Sequence, residues 1–280
     1  MNEKLVDIQQ QTPGDLERQA QEEIIKQRLT SIKRKILVMS GKGGVGKSTV
    51  AAYLALLLSK NGSRVGILDV DLHGPSIPRL LGANGTMQVV GENAVKPVDV
   101  SGTLKAVSLE MVLGDKDSAV IWRGPLKIGA IKQFISDIEW GDLDYLIIDS
   151  PPGTGDEPLT VAQTIPDAEA LIVTTPQEIS LADVRKSITF CRQVGMKILG
   201  ILENMSGLSC PHCGKQIDLF GTGGGARTAQ SMNIPILGEI PLDPRMVVFG
   251  DTGRLKELAD MGDGDLNEAY NKVLEKIMKS

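Results

Sequence analysis

Residues 35–49 read KILVMSGKGGVGKST. The first six are mostly apolar and partly β-branched, the pattern of a strand covered on both faces. Glycines at 41, 43, 44 and 46 then interrupt regular structure, and Lys47-Ser48-Thr49 opens the apolar run VAAYLALLL (50–58), which suits a helix to about residue 60. Strand, glycine loop and helix in that order validate the phosphate-loop pattern G-x-x-x-x-G-K-[ST], met by Gly41, Gly46, Lys47 and Ser48. The glycines let backbone N–H groups turn toward phosphates, Lys47 is placed for the β and γ oxygens, and the Ser48 hydroxyl is a ligand for Mg²⁺. The nucleotide-binding set is therefore Gly41, Lys42, Gly43, Gly44, Val45, Gly46, Lys47, Ser48 and Thr49. It holds one cation, Lys42, that the motif does not need.

Outward from this loop, strands and helices alternate. RVGILDV (64–70), TLKAVSLE (103–110), LDYLIID (143–149), EALIVTT (169–175), KILGILEN (197–204) and IPILGEI (234–240) read as buried strands, with helical patterns at 125–138 and 180–194. The expected fold is an α/β domain with a doubly wound, mostly parallel sheet. Residues 1–33 form a tail and a helix, with Asp15 as N-cap and an apolar stripe at Leu16, Ala20, Ile24, Ile25, Leu29 and Ile32. Residues 34–262 form the single nucleotide-binding domain, and 205–225, carrying Cys210, Cys213 and six glycines, read as an insertion with its own task. Residues 263–280 form an amphipathic helix with apolar Leu266, Ala269, Tyr270, Val273, Leu274, Ile277 and Met278. Its polar face mixes both charge signs, so it is expected to dock on the domain and not on a membrane.

The chain has 280 residues, 41% of them hydrophobic, and a net charge of -5, which gives no support for a broad nucleic-acid face. No leader pattern opens it, and no apolar run reaches the roughly 20 residues of a bilayer span. Three cysteines exclude a disulfide framework, so the expected compartment is cytoplasmic, with neither nucleic acid nor membrane as partner.

Three further elements belong to the loop. Asp149 ends a strand where nucleotide hydrolases hold Mg²⁺ through a carboxylate, and Pro151-Pro152-Gly153-Thr154-Gly155 after it can sense a γ-phosphate. Asp69 and Asp71 end another strand at the same carboxyl edge, where a carboxylate can orient the attacking water; the case is stronger for Asp71. No N-K-x-D guanine signature follows, whereas Asn204 ends its strand with an amide free to meet an adenine edge. ATP is the expected nucleotide.

The loop with its extra lysine resembles the deviant Walker A motif of the MinD/ParA/nitrogenase-iron-protein class of dimeric ATPases. That resemblance implies that Lys42 reaches the partner subunit's nucleotide, tying a homodimer to ATP. Within the class, DVDLHGPSIP (69–78), IWRGPL (121–126), DSPPGTGDE (149–157), ENMSGLSCPHCG (203–214) and LFGTGGGA (219–226) resemble the Mrp/ApbC iron–sulfur carrier ATPases. The resemblance implies that Lys42, Lys47 and Asp71 are catalytic, with Asp71 the water-orienting aspartate. It also implies that Asn204 contacts adenine and that Pro241 and Asp243 belong to the base-side loop. Residues 1–33 hold no cysteine, so no cluster is expected on the tail.

Cys210-Pro211-His212-Cys213 places two thiolates on one short loop, half of a four-ligand site. Cys191 falls in an apolar-periodic helix and reads as a small buried hydrophobe. Two chains brought together would supply the four cysteines of a 4Fe–4S cluster. The expected function is an ATP-hydrolysing carrier that binds a subunit-bridging cluster and delivers it to apoproteins. The alternative is a MinD/ParA-like positioning switch with a bridging zinc. GTGGGA (221–226) loosely matches a dinucleotide fingerprint but reads better as a flexible glycine hinge beside the cysteines.

Overall fold

The computed structural model describes residues 13–280 except 72–73, 84, 86, 91–93, 109–110, 112–123 and 211. The tail before residue 13, Leu72 and His73, the last two residues of TLKAVSLE, the first three of IWRGPL, and Pro211 therefore lie outside the described residues.

In chain order the elements are α1 (Pro13–Thr30), β1 (Ile32–Ser40), α2 (Lys47–Lys60), β2 (Val65–Asp69), α3 (Ile77–Leu81), β3 (Gln88–Val90), β4 (Ala94–Lys96), β5 (Val98–Asp99) and β6 (Leu104–Ser108). There follow α4 (Gly124–Asp137), β7 (Leu143–Asp149), α5 (Asp156–Thr164), β8 (Glu169–Thr174), α6 (Glu178–Gln193), β9 (Lys197–Glu203), β10 (Leu208–Ser209) and β11 (Gln216–Ile217). The chain closes with α7 (Gly224–Met232), β12 (Ile236–Glu239), α8 (Pro244–Asp251), α9 (Leu255–Met261) and α10 (Gly264–Lys279).

Eight of these strands form one sheet in the order β12-β9-β8-β1-β7-β2-β6-β5, parallel throughout except where β5 pairs with β6. The reason is visible in β1. Ile36 and Val38 join a core with α2, α9 and α10 on one face, while Leu37 and Met39 join a second core with α1, α4 and α6 on the other. A strand apolar on both sides needs a layer on each, and only crossover helices supply that. From β1 the chain goes to β2 on one side and later returns to β8 on the other. The carboxyl end of β1 is thus the point where connections diverge, the usual seat of a ligand in such sheets. The ends of β1, β7 and β2 lie side by side there, with Asp69 in register with Asp149.

Two expectations on the flanks need adjustment. Among the described side chains of α1 only Ile25 and Leu29 are buried, whereas Leu16 and Ile24 are exposed. Ile32 belongs to β1, so the apolar spacing runs across the helix–strand junction and does not mark a single stripe. The C-terminal helix docks as its pattern demands: Leu266, Tyr270, Val273, Leu274 and Ile277 are buried, the Tyr270 ring lies 4.7 Å from Tyr53, and the Tyr53 hydroxyl donates to Asn267 Oδ1 at 2.9 Å. Met278 is left outside. Among the described residues, no helix is long and apolar enough to cross a membrane.

Candidate functional site

The glycine loop sits between β1 and α2. Gly44 and Gly46 have φ near +80°, a left-handed conformation that only glycine adopts without strain. At Gly46 a Cβ would also meet the Asn204 amide nitrogen, and at Gly41 one would strike the backbone of Asp183 on α6. The loop is thus held from two sides by elements far away in sequence.

Lys47 opens α2 with its side chain buried. Its Nζ lies 2.5 Å from Asp149 Oδ1 and 3.1 Å from the Ser48 hydroxyl. Asp149 is wholly buried, and its other oxygen, Oδ2, has no hydrogen-bond partner among the described residues. Burial pushes this carboxyl up and the Lys47 ammonium pulls it back. A hard carboxylate oxygen with no partner, beside a serine hydroxyl, is the donor set a Mg²⁺ ion takes. Ser48 and Asp149 therefore fit the metal expected of them.

The two aspartates after β2 divide. Asp69 is buried, and its carboxylate accepts from the backbone of Asp71 at 3.0 Å, Ser76 at 3.0 Å and Ile77 at 3.3 Å. Burial and the neighbouring Asp149 push it up to about 8, against those N–H donors. Asp69 thus organises the turn and the start of α3. Asp71 is half-buried just after β2, and its Oδ1 accepts from Gly74 N at 3.1 Å. Lys42 is also half-buried, and among the described residues its ammonium has no ion-pair or hydrogen-bond partner.

Asn204 corrects the sequence reading. Its amide is not free: Nδ2 donates to the carbonyl of Val45, in the glycine loop, at 2.9 Å. The next residue, Met205, has φ 58°, an unusual conformation for a side chain-bearing residue. Asn204 still lines a cavity of about 200 Å³ with Gly46, Thr49, Met205, Pro241 and Asp243. Of the two base-side residues, Asp243 spends its carboxylate on Arg245, capping the N–H of α8 at 2.9 Å and pairing with the guanidinium at 2.8 Å. The cavity opens onto Gly46 and Thr49 and is otherwise mostly apolar, the setting for a planar base attached to a phosphate chain.

The cysteines occupy the hairpin β10–β11. Cys210 N donates to Lys215 O at 2.9 Å, and Gly214, with φ +71°, returns a bond to Cys210 O at 2.8 Å. The backbone N–H groups of His212 and Cys213 approach the Cys210 sulfur and hold its thiol below the usual range, which favours a thiolate ligand. Cys210 is partly exposed and Cys213 exposed; Cys191 is buried beside Met39 and pushed up to about 12. Among the described residues, no cluster of three or more His, Cys, Asp or Glu could hold a metal ion. The pair remains half a site.

A family model described as NUBPL iron-transfer P-loop NTPase matches residues 31–278. The chain belongs to that family. It is 46% identical to an iron-sulfur cluster carrier protein of Methanocaldococcus jannaschii over 91% of this chain and 87% of the relative. It is 48% identical to the cytosolic Fe-S cluster assembly factor CFD1 of Kluyveromyces lactis over 89% of this chain and 92% of that protein. Among solved structures, a nucleotide-binding protein from Archaeoglobus fulgidus, in complex with ADP and with cobalt, is similar at 43% identity and TM-score 0.76, covering 88% of this chain and 96% of that one. MinD of Pyrococcus furiosus shares the fold alone, at 24% identity and TM-score 0.60. The NUBPL-type NTPases are thus the frame for this site.

Two features escape sequence reasoning. Gly224 and Gly225 are buried, not a hinge: a Cβ at Gly224 would meet Pro176 O at 2.5 Å, and one at Gly225 would meet the Glu203 side chain at 3.0 Å. Glu203, fully buried at the end of β9, accepts bonds from the glycine run. The available signal was a carboxylate beside Asn204, followed 20 residues later by a glycine run whose N–H groups need acceptors.

Proposed function

We propose that this NTPase is an ATP-hydrolysing iron–sulfur cluster carrier that works as a cytoplasmic homodimer and delivers its cargo to apoproteins. The observation that carries the reading is the pairing of a complete phosphate loop with two solvent-facing thiols that, among the described residues, have no third metal ligand beside them. The names of the similar proteins support the cargo. Two copies supply four thiolates, the complement of a 4Fe–4S cluster.

Nucleotide chemistry falls to Lys47, Lys42 and Asp71. Lys47 has three donors, so it can serve phosphate oxygens while keeping Asp149 in reach. Lys42, whose ammonium has no partner among the described residues, is available to the nucleotide of a second subunit. Asp71, just beyond the carboxyl end of β2, offers a carboxylate to the attacking water, and the hydrolysis is organised by positioning and charge. Mg²⁺, held by Ser48 and Asp149, would offset phosphate charge. Asn204, Pro241 and Asp243 border the base.

The test is transfer. Protein reconstituted without oxygen should convert a 4Fe–4S apoferredoxin to its holo form in the presence of an iron chelator. No conversion beyond that given by free iron and sulfide contradicts the reading. Zinc in place of iron, at one ion per two chains, would favour a structural bridge.

A further inference from the structure

The cysteine hairpin is held at both flanks by one side chain. Ser206 Oγ donates to Glu203 Oε1 at 2.6 Å, four residues before Cys210. After the second strand, Gly223 N donates to the same oxygen at 3.0 Å and Gly225 N to Oε2 at 2.5 Å. Among the described residues no cation pairs with Glu203, and its charge is met by the amino end of α7 and the serine hydroxyl. Losing that carboxylate would leave buried N–H groups without acceptors.

The same short segment forms the wall of the nucleotide cavity. Asn204 and Met205 line it, and Asn204 is bonded to the glycine loop. Ser206 N donates to Ile240 O at 2.9 Å and Leu242 N to Gly207 O at 2.8 Å, stitching the segment to the opposite wall. A base entering between Met205 and Leu242 therefore presses on Met205, one peptide unit from the Ser206 anchor and two from Glu203, the side chain that holds both flanks. Contiguous hydrogen bonds of this kind can carry coupling between two sites.

We propose that Glu203 is a positioning residue that clamps both flanks of the cysteine hairpin to the end of β9, so that nucleotide in the adjacent cavity changes the presentation of Cys210 and Cys213. The inference deepens the carrier reading and rests on it only for the identity of the cargo. Coupling occurs within one chain, before any contribution from a dimer.

The experiment is alkylation of the full-length protein by iodoacetamide, followed by mass spectrometry, with and without ATP, with buried Cys191 as the internal reference. Wild-type protein should show a nucleotide effect on Cys210 and Cys213 of about tenfold, the scale of ordinary allosteric coupling. Ser206→Ala removes one anchor and leaves the cap of α7 intact; Glu203→Gln keeps the volume but turns one acceptor into a donor. Both should reduce the nucleotide effect to within about twofold while ATP affinity and Cys191 protection stay unchanged. Ser206→Ala separates positioning from folding if Glu203→Gln fails to fold. Wild-type-sized nucleotide effects in Ser206→Ala, or no nucleotide effect in wild-type protein, overturn the proposal. Nucleotide-dependent alkylation in protein that takes up no cluster would retain the clamp and discard the cargo.

Discussion

The glycine loop and the cysteine hairpin stand at opposite extremes of preparation. The loop is surrounded: α6 packs on Gly41, Asn204 bonds to Val45, and Lys47 is buried against Asp149. The hairpin consists of two strands of two residues each, with its thiols facing solvent and half the ligands a metal cluster needs. A site that must hold charge in place is best built rigid and dry, because fixed dipoles then need no reorganisation. A site that must release its contents is best left exposed and incomplete. The difference teaches that the phosphate site is built almost wholly from buried, mutually bonded groups of one chain, whereas the cysteine pair offers two of the four ligands that the proposed cluster takes.

The largest test of that contrast is Lys47→Ala. It removes the cation for the β and γ oxygens and strands Asp149, so ATP affinity should fall about a thousandfold, on the scale of losing a buried charge partner. Calorimetric titration measures it, and iodoacetamide reactivity of Cys213 without nucleotide should stay at the wild-type value. Unchanged ATP affinity breaks the phosphate-loop assignment.

Lys42→Ala sharpens the comparison, because this lysine lies in the prepared half yet is expected to act across subunits. ATP binding should persist while hydrolysis drops about a hundredfold, the scale of losing a cation from a charged transition state. Mixing Lys42→Ala with Lys47→Ala protein should recover turnover, since each lacks what the other supplies. Wild-type turnover in Lys42→Ala, or no recovery on mixing, places the lysine outside the chemistry.

Asp71→Asn should bind ATP normally and hydrolyse it about thirtyfold more slowly, since an amide keeps the shape but polarises water poorly. Normal turnover would pass the role to Asp156, on the first turn of α5. The smallest effect is expected from Cys191→Ser. This change should retain cluster binding and cost about 1–3 kcal/mol from a buried hydroxyl, read as a lower denaturant midpoint.

The fold and the phosphate loop were legible because their signals are local. LDYLIID coincides with β7 residue for residue, and the glycine spacing fixes the turn before α2. Cys191 was legible as core from helical periodicity alone. What stayed hidden depends on contacts remote in the chain. Val45 and Asn204 lie 159 residues apart, so nothing near Asn204 reveals that its amide is engaged. Glu203 and the glycines of 223–225 were read separately, as a strand end and a hinge. Only their approach turns a flexible-looking run into a packed helix start. Strands β3, β4 and β5, at two or three residues, are too short for a periodicity to declare itself.

The central claim is that two chains complete one cluster through Cys210 and Cys213. The direct measurement is anaerobic reconstitution, with iron and acid-labile sulfide counted per chain beside the mass of the species in solution. Wild-type protein should give one 4Fe–4S cluster per dimer, about two irons per chain, because each chain offers two of four cysteine ligands. Cys210→Ser and Cys213→Ser each remove two ligands from the dimer, so the count should collapse and not halve. Four irons on a monomer, or a cluster that persists in Cys213→Ser, would contradict the account.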